Sequence, residues 1–442
     1  MTRILIAHFF LILNYCYSQP ILDDLFLKDY HYNDCIKTAI LANNQNHLLD
    51  PIIKLNSEET LKLSFDDLSN NLEYYLYTFI HCDSNWDRSE IIYSEYLEGF
   101  FENYIDNYNF SFNTIQNYIH YELIFPNENI NFLKSGNYVV LIYDESMNPI
   151  ITKRFVIYEN LVSIESNLKR GTFVKDFDTK HEIDFKIHLN SLIIQNPHEE
   201  IKIVIQQNDN WNNIKKNTRP SFIGRNILEY DYDGEISFEA GNEFRHFEIS
   251  NLDFFSENVD SIYTKSINAN KLNMRPTNSS TLESCDYKLM HENILFARLS
   301  KDYSRAKNNY FNKYDLNGKM EIKNSRSNYP EYESEYIMVD FFLKQNIENK
   351  SDVYIFGALS NWDIEEKYKM NYDSTSKIYH SRLFLKQGYY DYQYITNNNK
   401  NIIEGNYFET KNEYTIYVYH KPIWSRYEKI IGINKITSNY LD

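Results

Sequence analysis

The stretch Tyr75-Leu76-Tyr77-Thr78-Phe79-Ile80 sets an aromatic ring at every second position, the repeat of a β-strand that turns one face to a core. The same period recurs in Leu61-Lys62-Leu63-Ser64-Phe65, Tyr138 to Tyr143, Ile201-Lys202-Ile203-Val204-Ile205, Val339-Asp340-Phe341 and Tyr414-Thr415-Ile416-Tyr417-Val418-Tyr419. Long amphipathic helical patterns are nearly absent, and Ile91 to Phe101 is the best short candidate. The pattern predicts an all-β chain of half-buried strands.

Working outward, Tyr75–Ile80 leads into Asn85-Trp86, and the same dipeptide follows strand-like runs at Asn210-Trp211 and Asn361-Trp362. Each is followed by a glycine-led aromatic segment: Gly136-Asn137-Tyr138, Gly241-Asn242-Glu243-Phe244 and Gly388-Tyr389-Tyr390. The spacings are domain-sized, so the sequence predicts three tandem immunoglobulin/fibronectin-like β-sandwich domains, each tryptophan capping the end of its own core. Polar, patternless stretches near Glu159 to Ser166 and between Thr264 and Ser334 place the domains at 19–160, 161–330 and 331–442. Asn317-Gly318 predicts a tight type I′ turn inside the second polar stretch.

The 442 residues carry a formal net charge of −17, which disfavours binding to nucleic acid or anionic lipid. Met1-Thr2-Arg3, the apolar run Ile4 to Leu13 and Cys16-Tyr17-Ser18 read as a signal peptide, residues 1–18, cleaved near Ser18-Gln19. The run is too short for a membrane span, and Tyr15 before Cys16 opposes a lipoprotein signal. The expected location of the mature chain is the far side of the inner membrane, an oxidising compartment. There Cys35, Cys82 and Cys285, an odd number, leave at most one disulfide and one free thiol.

The chain carries no Gly-x-Ser-x-Gly elbow, His-Glu-x-x-His helix, phosphate-cradling glycine loop or Cys-x-x-Cys pair, so no catalytic residue, metal site or cofactor is expected. Asp83-Ser84-Asn85-Trp86-Asp87 imitates the start of a calcium loop, but Arg88 stands where glycine is required and Ser94 where the bidentate glutamate belongs. It reads as a turn held by its own Asp and Asn side chains. His81 and Cys82 do not form a zinc pair, because neighbours on a strand point to opposite faces.

Two resemblances follow from ordered segments. Val353-Tyr354-Ile355-Phe356-Gly357, Leu359-Ser360-Asn361-Trp362 and Leu383 to Tyr394 resemble an early-set immunoglobulin-like domain of the glycogen-binding kind. That resemblance implies a sugar-stacking role for Trp362, while the hairpin expected to carry a second aromatic reads Thr396-Asn397-Asn398-Asn399-Lys400. A fuller resemblance is carried by Pro51-Ile52-Ile53-Lys54-Leu55, Cys82-Asp83-Ser84-Asn85-Trp86, Glu95-Tyr96-Leu97-Glu98-Gly99-Phe100, Ser135-Gly136-Asn137-Tyr138, Gly241-Asn242-Glu243-Phe244-Arg245, Lys386-Gln387-Gly388-Tyr389-Tyr390 and Gly405-Asn406-Tyr407-Phe408-Glu409-Thr410. In this order they are similar to the type IX secretion system plug protein family of Bacteroidota. The resemblance implies a non-enzymatic periplasmic subunit that binds the large outer-membrane β-barrel translocon and plugs its periplasmic opening. Trp86, Gly99, Phe100, Trp211, Glu243, Phe244 and Arg245 are the candidate partner-binding residues.

The alternative is a carbohydrate-binding envelope protein that uses Trp362. An integral outer-membrane barrel also suits alternating aromatic strands, but polar residues on both faces of many segments oppose it.

Overall fold

In a computed structural model the chain is described over residues 25–69, 71–216, 218–254, 256–266, 293–345, 351–397 and 401–438. The predicted signal peptide (1–18), Cys285 and the 398–400 part of the hairpin expected to carry a second aromatic lie outside the described residues. The fold is all-β, and its strands group into three β-sandwiches.

The first sandwich packs two sheets. One runs Tyr30–His31, Pro149–Tyr158, Gly136–Asp144, Tyr75–Cys82, Asn103–Tyr104; the other runs Ile36–Asn43, Leu61–Asp67, Ile119–Phe125, Asn107–Phe110. Leu61, Leu63 and Phe65 meet Tyr75, Tyr77 and Phe79 in its core, as the alternation predicts. Yet Tyr75–Cys82 is buried along its whole length. Its other face, with Ile80 and Cys82, joins Val139, Val156 and, from the second sandwich, Val204, Tyr417, Tyr419 and Ile430 in a separate apolar cluster. That cluster is the seam between two sandwiches.

The second sandwich departs from the sequential order expected. Its first sheet is Ser163–Arg170, Lys180–His188, Ile227–Tyr230, Phe222–Ile223; its second is Asn210–Lys216, Ile201–Gln207, Glu413–His420, Lys429–Thr437. Ile203 pairs with Val418 and Ile205 with Ile416, so the last two strands of the chain complete a core begun at residue 162.

The third sandwich is therefore an insertion within the second. It takes Arg245–Glu248, Val259–Ser266, Asn293–Leu299 and Met320–Ile322 from the stretch expected to be the middle domain, and adds Tyr336–Lys344, Val353–Phe356, Ile378–Lys386 and Gly388–Thr396. The 161–330 and 331–442 boundaries give way to a discontinuous second unit around a nested third. The ladder hydrogen bonds of Ile201–Gln207 need a partner strand, and Glu413–His420 supplies it.

Local chemistry follows the sequence more closely. Asn317 and Gly318 both have positive φ, 53° and 84°, and the Lys319 N–H bonds the Leu316 carbonyl at 3.2 Å. Glycine is required at 318 because a Cβ there would sit 2.2 Å from the Trp362 ring. The helix expected over Ile91 to Phe101 is a single turn, Tyr93–Tyr96, running directly into the strand Leu97–Gly99.

Cys35 is disulfide-bonded and Cys82 is free and buried, so these two do not pair. Burial pushes the Cys82 thiol well above its ordinary range. The folded protein should therefore leave Cys82 unmodified by a thiol reagent at neutral pH, and unfolding in denaturant should release it, a contrast read by mass spectrometry.

Candidate partner interface

The three Asn-Trp turns converge. In the first, the Asp83 carboxylate accepts the Asn85 and Asp87 N–H groups at 2.8 and 3.0 Å, and Trp86 takes φ 68°. The Asp83 carboxylate is thus occupied by its own turn as expected, whereas the Asn85 side-chain oxygen leaves the turn and accepts from Lys216 Nζ of the second sandwich at 2.9 Å. The Trp86 and Trp211 rings meet edge to face at 4.7 Å, and the Arg154 guanidinium lies 5.2 Å and 5.9 Å from them. Trp211 also stacks on Tyr417 at 5.1 Å.

The third turn is tied in through polar bonds. The Asn212 amide donates to the Trp362 carbonyl at 2.7 Å, and Lys153 Nζ donates to Asn361 Oδ1 at 2.8 Å. Trp86 and Trp211 therefore seal the seam between sandwiches instead of capping separate cores. The Trp362 ring is held edge to face by Phe356 at 5.5 Å and Phe244 at 5.9 Å, against Gly318. A ring engaged on these sides is not a free sugar platform.

Two buried ion clusters fasten the sandwiches together. Asp50, from the first, pairs with Lys319 of the third and Lys435 of the second, and the Lys319 ammonium also donates to the Leu48 carbonyl at 2.7 Å. Burial pushes the Asp50 carboxyl up, but the two ammonium groups outweigh it and hold it at about 2. A depressed carboxyl contributes stability that is present above its unfolded value near pH 4 and lost as pH falls through the folded value. The stability gap between the native protein and Asp50→Asn should thus be full at neutral pH and close by about 2 kcal/mol as pH falls from about 4 to about 2. Thermal unfolding of both proteins across that range measures it. At the other junction Asp66, from the first sandwich, pairs with Lys386 of the third at 2.6 Å, both side chains 1% exposed.

Most of the candidate partner residues are used internally. Glu243 accepts from the Tyr310 hydroxyl and the Lys411 N–H, Phe244 is buried against Trp362, and Arg245 bonds Glu404 and Asp302 at 3.0 and 2.7 Å. With Trp86 and Trp211 in the seam, only Gly99 and Phe100 lie at the surface. Gly99, at φ 121°, closes the ribbon with Ile130–Phe132, where a Cβ would meet the Asn129 carbonyl oxygen at 2.0 Å.

Phe100 is 76% exposed and stands beside a cavity of about 410 Å³ bounded by Arg88, Ile92, Tyr93, Tyr96 and Phe101. Next to it lies the connection between Glu413–His420 and Lys429–Thr437, whose Arg426 bonds the Glu90 carbonyl at 3.2 Å and pairs with Glu95. This tip presents Ile423 and Trp424. Sequence reasoning missed them because Trp424 lacks the preceding asparagine that marks the other three tryptophans. The available signal was Lys421-Pro422-Ile423-Trp424, an apolar pair in a proline-broken turn between two alternating strands.

Among the described residues no group of three His, Cys, Asp or Glu side chains is placed to hold a metal ion, and no helix is long and apolar enough to cross a membrane. No curated protein matches the chain. The solved structure of a hypothetical protein from Parabacteroides merdae matches with a TM-score of 0.83 and 29% sequence identity, covering 94% of this chain and 100% of that one. The family model of the type 9 secretion system plug protein 1st domain matches residues 36–159, the span of the first sandwich core. Residues 36–159 of the chain thus match the type 9 secretion system plug protein 1st domain.

Proposed function

We propose that the chain is a non-enzymatic periplasmic subunit of type 9 secretion that docks on the outer-membrane β-barrel translocon and closes its periplasmic opening. The family match over residues 36–159 carries this reading. The architecture supports it, because a steric plug must keep its shape against a pore mouth. Here Asp50 joins all three sandwiches, the Trp86–Trp211 seam joins the first two, and Asp66–Lys386 joins the first to the third. The disulfide at Cys35 fits an oxidising compartment.

Pull-down of the tagged mature protein from detergent-solubilised envelopes tests the reading. Enrichment of one very large outer-membrane barrel protein is expected. A folded, exported bait that brings down no such barrel would overturn the assignment.

A further inference from the structure

Four large apolar side chains stand out from one side of the molecule without cover. Ile92 and Phe100 of the first sandwich are 65% and 76% exposed; Ile423 and Trp424 on the tip between the last two strands are 54% and 95% exposed. They are neighbours: the Arg426 side chain reaches Glu90 and Glu95 on either side of Ile92, and the Tyr93 hydroxyl donates to the Phe100 carbonyl at 2.5 Å.

The tip is stiff. The Ser425 N–H bonds the Pro422 carbonyl at 2.8 Å, Ser425 Oγ bonds the Tyr427 carbonyl at 2.7 Å, and the Tyr427 ring lies 5.8 Å from His81 in the first sandwich. A backbone turn already formed costs less ordering entropy on binding. Tryptophan in a central, desolvated position is also the side chain that most often dominates an interface. Phe100 and Trp424 together offer roughly 300–500 Å² of surface to bury. That is about half of the ~800 Å² a standard interface takes from each partner.

The charge selects the occupant. Glu90, Glu98 and Glu102 are exposed around the patch and form no ion pair among the described residues; they outnumber the exposed Arg88 and Lys421 beside them, and the whole chain carries −17. An anionic bilayer and a second copy of the chain are both repelled by such a field, whereas a basic rim is attracted. We propose that Ile92, Phe100, Ile423 and Trp424 form a docking face for a protein whose complementary surface is an apolar pocket ringed by Lys and Arg, with Trp424 as the anchor. This surface rests on the reading that the chain works by docking on an envelope protein, and it specifies where.

The test places a photo-crosslinking phenylalanine in the full-length, exported protein at Trp424, at Phe100 or, as control, at Val174. Val174 is 94% exposed but belongs to the opposite end of the second sandwich, where the Phe408 N–H bonds the Asp178 carbonyl at 2.9 Å. Irradiation of intact envelopes should give adducts from 424 and 100 to one outer-membrane barrel protein and none from 174. Trp424→Ala should weaken binding to that purified barrel by about 30-fold or more without shifting the thermal unfolding midpoint. Barrel adducts from 174 but not from 424 or 100 overturn this surface and leave the docking reading standing. Adducts to a second copy of the chain overturn it in favour of self-association. Binding to phosphatidylethanolamine–phosphatidylglycerol vesicles that Trp424→Ala abolishes overturns it in favour of lipid anchoring. No barrel adduct at any position, with no barrel in the pull-down, overturns both.

Discussion

Replacing Lys386 with methionine is expected to lower the unfolding free energy by about 3–5 kcal/mol, although methionine fills nearly the same space. Asp66 on the strand Leu61–Asp67 receives the Lys386 ammonium, the Tyr336 hydroxyl and His120 Nδ1, each at 2.6 Å. Burial pushes the Asp66 carboxyl up, but the Lys386 charge and the His120 bond outweigh it and hold it below its ordinary value. Removing the ammonium leaves a carboxylate out of water with only the Tyr336 hydroxyl and His120 to hold its charge, which costs more than the ion pair contributes.

The sign of the pH dependence follows. In the native protein the Asp66 contribution is present above its unfolded value near pH 4 and fades as pH falls through the lower folded value. In Lys386→Met the carboxyl moves upward, so the variant recovers part of its deficit on mild acidification. Urea unfolding at neutral and mildly acidic pH measures both effects. The double variant Asp66→Asn with Lys386→Met should lose clearly less than the two single losses combined, because the second change removes the stranded charge. A single-variant loss below about 1 kcal/mol would show that this pair does not fasten the third sandwich to the first.

How much of this was legible varies with the range of the interaction. The alternation of Leu61, Leu63 and Phe65 against Tyr75, Tyr77 and Phe79 encodes a local face, and the fold uses that face as its core. The intervening Leu76, Ile80 and Cys82 lie on the face that a half-buried strand leaves to solvent, yet they are buried, Ile80 and Cys82 under the second sandwich and Leu76 beside Leu141, Tyr143 and Leu25. A period-two pattern records that a face is apolar but not what lies on it. The partner of Ile201–Gln207 was equally hidden. Glu413–His420 carries the same alternation as every other strand, and nothing local distinguishes a partner some 200 residues away from a nearer one.

Motif reading shows the same division at the candidate site. The Asp83 turn and the Asn317-Gly318 turn were readable because side chain and backbone act within a few residues. Glu243, Phe244 and Arg245 form a conspicuous string, but their contacts with Tyr310, Trp362 and Glu404 come from far along the chain, so recognising the string gave no warning that it was internal. Conversely, Trp424 belongs to no repeat and is the tryptophan left in the open.

Trp86→Ala should cost about 3–5 kcal/mol, the range for deleting a large buried aromatic. The indole is 8% exposed, and its loss empties the space between Arg154 and Trp211 at the point where two sandwiches touch. Its backbone at φ 68° adds a smaller penalty common to any residue with a Cβ, so Trp86→Phe is the control that keeps the backbone term and part of the ring. The informative comparison is with Trp211→Ala. If each tryptophan capped its own sandwich, the two losses would add to within about 0.5 kcal/mol. Because the rings share one contact and one guanidinium, the double variant should fall short of additivity by about 1 kcal/mol or more. Hydrogen exchange should then separate a damaged core from an opened seam. Core amides such as those of Phe65 and Tyr121 should keep their protection in Trp86→Ala, while those of Val139, Val156 and Val204, whose side chains line the seam, should exchange faster. Uniform loss of protection across both sets would return Trp86 to the role of a core cap and leave the first two sandwiches joined mainly through polar bonds such as Tyr419 to Asn137.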